Sequence, residues 1–335
     1  MLGTLLPLLL SCSRPPAPPD VVLVVVDTLR ADTLGFSGHE RPTSPHLDTL
    51  AEQSTWFSRA YAPSTWTLPS VTSILTGLYP FEHRVVHDWQ DPDQFGRLVS
   101  SIPTLPETLS KQGYRTAAFV NNSFLAPAFG LNRGWEVYDY QGASLTEHRT
   151  APATLEAAIQ WLDSGTEPAL LMVHVMEPHA DYTAPKPFQG RFSKDLPHEV
   201  SLPLGDVFID QLIQGEKTLT KEDQEYLKAA YDEEVLTTDA ALGQFLGRLQ
   251  KRKGWENTRL LVTSDHGEEF WEFGGYEHGH STRSVVTQVP LILKTPGAIP
   301  GKNESVVDLT LVMDALLDTP GSDLNRIARS GAYEA

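Results

Sequence analysis

Three short segments of the chain carry residue types that could do chemistry on an anion. Asp27 closes the apolar run Val21 to Val26, and Asp265-His266-Gly267 closes a second apolar run, Arg259 to Ser264. Two hard carboxylates and an imidazole suit one divalent cation (Zn, Mn, Mg or Ca) and leave a position for an oxygen nucleophile. The third segment, Tyr61-Ala62-Pro63-Ser64-Thr65-Trp66-Thr67-Leu68-Pro69-Ser70, puts the Thr67 hydroxyl just before a helix start. Free backbone N–H groups there favour an anion. Threonine is a poor nucleophile unaided, and a cation at its oxygen would favour the alkoxide. Each segment alone also fits a plainer role: a strand-end Asp or Thr67 as a helix cap, Asp-His-Gly as a turn.

The elements that must position these residues follow from periodicity. Val21 to Val26 and Arg259 to Ser264 read as strands buried on both faces, so their acidic residues sit at carboxyl ends, where open parallel sheets collect ligands. Ser44-Pro45 opens a helix to Gln53 with the serine as cap, and Leu68 or Pro69 opens another that Gly77 stops. Helix then strand recurs at Leu105 to Gln112 and Tyr114 to Val120, and again at Ala153 to Asp163 and Ala169 to Val175. This alternation predicts an α/β fold with a mostly parallel sheet sandwiched by helices. Residues 184 to 219 read as a long surface loop. Thr220-Lys221-Glu222-Asp223, a capping-box variant, opens a long helix with an apolar face of Leu227, Tyr231, Val235, Thr238, Leu242, Phe245 and Leu249. Lys251 to Lys253 are placed in its last turn and Gly254 at its end. Val289 to Lys294 predicts a strand and Leu309 to Leu317 a closing helix.

Composition narrows the class further. The chain has 335 residues, with 43 Asp and Glu against 26 Lys and Arg, a formal charge of −17. That sign repels phosphate backbones and anionic membranes, which argues against a nucleic-acid partner and requires a local cation for any anionic substrate. Cys12 is the single cysteine, which excludes an intramolecular disulfide or a Cys-ligated zinc. Met1 to Leu10 is too short to span a bilayer. Leu9-Leu10-Ser11-Cys12 resembles a bacterial lipoprotein box, with residues 1 to 12 as signal segment and residues 13 to 20 as a proline-rich spacer. Lipid on Cys12 would then be the only membrane attachment, at the periplasmic or other extracytoplasmic side of the cell envelope.

The order of motifs resembles the sulfatases of the alkaline phosphatase superfamily, over residues 21 to 318. Val22 to Asp32 is similar to the family's first metal-binding strand and loop, and Thr67-Leu68-Pro69-Ser70-Val71 followed by Leu75-Thr76-Gly77 to its nucleophile signature. Glu177-Pro178-His179 resembles a Pro-His motif whose histidine contacts the oxyanion, and Thr263 to Gly267 the second metal pair. His278-Gly279-His280-Ser281 falls where a substrate-binding Lys or His follows. The resemblance implies the family's fold, with the C-terminal subdomain short or absent and residues 319 to 335 a polar tail.

Departures from the pattern bear on the chemistry. Type I sulfatases oxidise the signature Cys or Ser to formylglycine, and threonine cannot yield that aldehyde because its β-carbon carries a methyl group. Val71 replaces the signature arginine, and Asn121-Asn122 stands where a Lys-rich segment is expected. The resemblance therefore implies hydrolysis or transfer of phosphate or phosphonate esters, small anionic substrates, through Thr67 and a covalent intermediate. Sulfate ester hydrolysis without formylglycine, and an inactive lipoprotein using the fold as a binding surface, are the alternatives. Asp27, Thr67, Asp265 and His266 would hold one metal, His179 and His280 would serve catalysis, and His87 and His278 would contact substrate. A second metal at His179, His278 and His280 is the alternative count. Asp32 could compensate for Thr28, which stands where many sulfatases have another Asp. Glu268 and Glu269 could orient His266, Trp66 and Trp89 could line the pocket, and His83 and His174 read as structural.

Overall fold

The computed structural model describes residues 18–87, 94–142 and 148–317. Cys12, most of the proline-rich spacer, Trp89 and the tail 319 to 335 lie outside them. The strands are β1 (Val21–Val26), β2 (Thr55–Tyr61), β3 (Arg115–Val120), β4 (Val137–Tyr140), β5 (Ala169–Val175), β6 (Arg259–Ser264), β7 (Glu269–Phe270), β8 (Tyr276–Glu277), β9 (Gln288–Val289), β10 (Leu291–Lys294) and β11 (Gly301–Asp308). The helices are α1 (Pro45–Glu52), α2 (Thr67–Thr76), α3 (Pro80–His83), α4 (Leu105–Lys111), α5 (Ala151–Asp163), α6 (Asp206–Ile213), α7 (Lys221–Leu249), α8 (Ser284–Thr287) and α9 (Leu311–Leu317).

A nine-stranded sheet runs β11-β2-β10-β6-β1-β5-β3-β4, with β9 beside β2. β1 sits at its centre, parallel to β5 on one side and to β6 on the other. Every residue of β1, β5 and β6 is buried, because helices cover both faces of the sheet. Alternation divides the core in two. Val22, Val24 and Val26 pack with Leu155, Tyr231 and Leu242 of α5 and α7, whereas Val21, Leu23 and Val25 pack with Leu68, Ile74, Leu109 and Leu316 of α2, α4 and α9. The expected α/β architecture with a mostly parallel sheet is therefore present.

The sheet is wider than its sequence signals. β2 and β11 pair in parallel at one edge and β4 adds to β3 at the other. β11 is polar and only one of its residues, Val307, is buried, with an irregularity between Asn303 and Val306, as edge strands often are. The expected strand from Val289 splits at Pro290, which has no N–H to give a ladder; β9 pairs β2, and β10 pairs β6 and β2. Residues 184 to 219 are not loop throughout, since α6 buries Ile209 and Leu212 against the core.

Helix ends also differ from expectation. Ser44 is at the N-cap of α1 but makes no capping bond; it accepts from Gly35 N and donates to Asp48. The free N–H groups of His46 and Leu47 donate instead to Asp239 of α7, at 3.0 and 2.8 Å. α7 ends at Leu249 with Arg248 in its last turn, so Lys251 to Lys253 lie beyond it. Its first turn keeps the expected cap, with Thr220 accepting from Asp223 N. The Asp223 carboxylate also accepts from Glu199 N and Val200 N. Because a buried carboxylate caps α1 from another helix, Asp239→Ala should cost about 1–3 kcal/mol, read as a lower urea midpoint with an unchanged slope.

Candidate active site

β1 and β6 are adjacent and in register, Val26 opposite Ser264, so the next residues of each, Asp27 and Asp265, emerge side by side. Both are fully buried. Each carboxylate has one oxygen occupied and one free. Asp27 Oδ2 accepts from Asn122 Nδ2 at 2.7 Å, and Asp265 Oδ1 from the backbone N–H of His266 at 3.0 Å. Asp27 Oδ1 and Asp265 Oδ2 are buried with no hydrogen-bond partner, and each lies 3.6 Å from His266 Nε2. His266 Nδ1 lies 3.0 Å from the Gly267 carbonyl, to which it donates, so the Nε2 lone pair faces the carboxylates.

Two orphaned carboxylate oxygens and one imidazole lone pair converging without solvent are the donor set of a divalent cation. Among the described residues Asp27, Asp265 and His266 form such a group. Burial, with the Asp265 charge, pushes Asp27 well above the usual carboxylate range. Burial would raise Asp265 too, but His266 and His174 outweigh it and hold Asp265 low. Burial lowers His266 to about 4, keeping it a neutral ligand.

Thr67 is the first residue of α2, with Trp66 as an N-cap that makes no side-chain bond. The Thr67 hydroxyl does not cap the helix. It lies 3.4 Å from His266 Nε2 and 3.2 Å from Asn122 Nδ2, and is buried. One turn on, Ser70 donates to the Asp265 carbonyl at 2.6 Å, which ties α2 to the end of β6. In the first turn of α2 Pro69 has no N–H and Ser70 N donates to the Trp66 carbonyl, which leaves the N–H groups of Thr67 and Leu68 without a partner within the helix.

The turn after Asp27 is held from α7. Thr28 is in the left-handed region (φ 55°), strained for a β-branched residue. Its carbonyl accepts from the Tyr231 hydroxyl at 2.8 Å, Arg30 N donates to that same hydroxyl, and Leu29 N donates to Ser264 Oγ. Asp32 does not stand in for a missing aspartate: both its oxygens pair with Arg30, whose guanidinium also reaches Glu272 and the Glu268 carbonyl.

The histidines separate into groups. His179, buried, packs its ring 5.1 Å from that of His278, which in turn lies 4.3 Å from His266. His278 pairs through Nδ1 with Glu268 at 2.9 Å. Burial and the His179 charge lower His278 to about 3, while burial raises Glu268 to about 7. His280 is turned away from this cluster, exposed, with Nε2 3.3 Å from Glu269. Neither Glu268 nor Glu269 orients His266; the Gly267 carbonyl does so. His87 lies edge-on to Phe95 at 5.0 Å, and Phe95 lies 5.9 Å from the Trp66 ring. His83 is bonded to Ser73, away from the carboxylates.

Two residues are closer to the centre than sequence suggested. His174, read as structural, is buried on β5 with Nε2 3.8 Å from Asp27 and 3.7 Å from Asp265. Burial would lower its pKa, but the two carboxylates raise it. Its place at the next-to-last position of a strand beside β1 was the available signal. Asn122 follows β3 just past its carboxyl end and touches both Asp27 and Thr67. Val71, at the signature arginine's position, is on α2 and buried in the core.

A mostly parallel sheet with an Asp/Asp/His group at its strand ends, beside a hydroxyl at a helix start, defines an alkaline phosphatase-like α/β domain with a candidate metal centre. The chain belongs to the sulfatase family: the model described as Sulfatase matches residues 19–322. Among relatives, N-acetylglucosamine-6-sulfatase of Capra hircus is 26% identical over 351 residues, covering 93% of this chain and 62% of that protein. The chain thus spans about three fifths of the length of the curated relatives it matches. The phosphonate monoester hydrolase of Agrobacterium radiobacter superposes with TM-score 0.71 at 20% identity, covering 90% of this chain and 73% of that one. The C-terminal periplasmic domain of phosphoethanolamine transferase EptC from Campylobacter jejuni gives 0.67 at 19%, covering 90% and 89%.

Two outcomes are expected from this geometry. Asp265→Asn should lower bound divalent metal from about one equivalent to near zero by elemental analysis of the purified protein. Arg30 depresses Glu272 to about 2 and lowers Asp32, so the unfolded chain binds more protons below about pH 4.5. That stabilisation is present above the unfolded pKa values and lost as pH falls toward 2. Urea midpoints at a series of acidic pH values should show a smaller pH slope for Arg30→Met than for the wild type.

Proposed function

We propose that this protein is a metal-dependent hydrolase or transferase of phosphate or phosphonate esters that uses Thr67 as nucleophile through a covalent intermediate. The observation that carries the reading is the Thr67 hydroxyl at the start of α2, 3.4 Å from the same His266 Nε2 that lies 3.6 Å from each orphaned carboxylate oxygen. Asp27, Asp265, His266 and the Thr67 oxygen would hold one divalent ion, Zn, Mn, Mg or Ca. The ion would supply charge stabilisation and a lowered hydroxyl pKa.

The chain's own residues do the rest. Thr67 Oγ forms the bond to phosphorus as the bond to the leaving oxygen breaks, and the hydroxyl proton passes to solvent. The backbone N–H groups of Thr67 and Leu68, at the start of α2, would meet the non-bridging oxygens. His179, its ring 5.1 Å from that of His278, is the proposed donor to the leaving oxygen. Water or an acceptor alcohol then releases Thr67. Cell-envelope location with attachment at Cys12 belongs to the same proposal, supported by Leu9 to Cys12 and by the periplasmic assignment of the EptC domain.

Sulfate ester hydrolysis is the second reading, favoured by the sulfatases among the relatives. An inactive binding protein is disfavoured by the convergence of Asp27, Asp265 and His266, which persists with Thr28 in place of a further Asp. A screen of aryl sulfate, phosphomonoester, phosphodiester and phosphonate esters should rank the phosphodiester or phosphonate first; faster sulfate turnover would reverse the substrate assignment. Thr67→Ala should lower turnover by about 10³-fold or more with metal content unchanged, and mass spectrometry should find phosphate on wild-type Thr67.

A further inference from the structure

We infer that Asn122 is a positioning residue that sets the orientation of the Thr67 hydroxyl and, with the same side-chain amide, which oxygen of Asp27 is left free. The inference rests on Thr67 being the nucleophile. It stands on geometry that the residues do not advertise singly, since Asn122 is 55 positions from Thr67 and 95 from Asp27.

The amide is fixed from behind. Asn122 Oδ1 accepts from Phe124 N at 2.8 Å, so the carbonyl faces the loop and the NH2 faces inward. Its nitrogen lies 2.7 Å from Asp27 Oδ2 and 3.2 Å from Thr67 Oγ1, and an NH2 group has one hydrogen for each. Asn122 is 3% exposed, so no water competes freely for these bonds. The Phe124 N–H can only donate and so requires the amide oxygen, which excludes the flipped amide.

The consequence for Thr67 follows from the count of its hydrogen-bonding positions. A hydroxyl has one proton and two lone pairs. The Asn122 N–H takes one lone pair, so the proton cannot point at Asn122. In the metal-free protein the acceptor within reach on the other side is His266 Nε2, whose lone pair is free because Nδ1 donates to Gly267. With the proposed ion on that lone pair the proton is displaced, and the Asn122 N–H still holds Thr67 Oγ1 from the loop side. For Asp27, occupation of Oδ2 leaves Oδ1 as the orphaned atom 3.6 Å from His266 Nε2. A single carboxamide thus registers the nucleophile against a ligand carboxylate, two groups on elements that share no backbone ladder.

Asn122→Asp and Asn122→Ala test this against Thr67→Ala and wild type, using the best aryl ester of the screen and protein of equal metal content by elemental analysis. Asp keeps the shape but cannot donate. Both Asn122 variants should lower kcat by about 10²-fold with KM changed less than about threefold. In metal-free wild-type protein the Asn122 side-chain amide should exchange slowly with solvent by NMR, and its signals should shift in Thr67→Ala. That second readout requires neither turnover nor a folded Asn122 variant. Wild-type kcat in Asn122→Asp, full recovery of kcat on raising the metal concentration, or amide signals indifferent to Thr67→Ala would each overturn the inference. An inactive Thr67→Ala beside a normal Asn122→Asp removes this inference alone, whereas an active Thr67→Ala removes the nucleophile reading beneath it.

Discussion

Two buried carboxylates placed side by side are the constraint on which the rest of this structure depends. Asp27 and Asp265 leave adjacent parallel strands at the same level of the sheet, and neither reaches solvent. Like charges at this distance in a low-dielectric interior cannot both stay ionised without a positive partner. The protein supplies only weakly basic ones, His266 and His174, and leaves an oxygen of each carboxylate unsatisfied. An arrangement so unfavourable by itself is consistent with a cation completing it, and with a net-negative protein able to hold an anion at one point of its surface.

Keeping that pair in place requires rigidity from elements distant in sequence. α7 contributes Tyr231 to the strained turn at Thr28 and Asp239 to the start of α1. Ser70 locks α2 to β6, and Gly279 N donates to the Thr65 carbonyl, joining the His278 loop to the loop that leads into Thr67. Each of these bonds crosses between segments whose relative position would otherwise be free to drift by the fraction of an ångström that matters at a reacting centre.

The departures from the sulfatase signature are structurally coherent. With Val71 packed in the core and Asn122 at the carboxyl end of β3, this region of the centre is neutral where the resembled pattern is cationic. A hydroxyl that no oxidation can turn into an aldehyde, that of Thr67, stands where the resembled signature has its Cys or Ser. Together these differences leave Asp27, Asp265 and His266 converging as a candidate metal centre, with Thr28 and Asn122 in place of the Asp and Lys of the resembled pattern.

The central strands, the strand-end acids and the α2 start were legible in the amino-acid sequence, because a strand buried on both faces is a continuous apolar run whose end can be read directly. Asp27, Thr67, Asp265 and His266 are therefore identifiable from residue type and neighbours alone. The edge strands β4 and β11 and the helix α6 were not, since edges are polar and short elements take their stability from what they pack against. Nor could sequence tell Ser44 from Asp239 as the cap of α1, His174 from a core histidine, His280 from a site residue, or Asn122 from a loop asparagine. Apart from that of His280, those roles are relations between residues 55 to 193 positions apart. Sequence determined which residues could do the chemistry, through local pattern. Only tertiary structure decided which of them meet, because hydrogen bonds and charges act over a few ångströms and the chain's order carries no such distance.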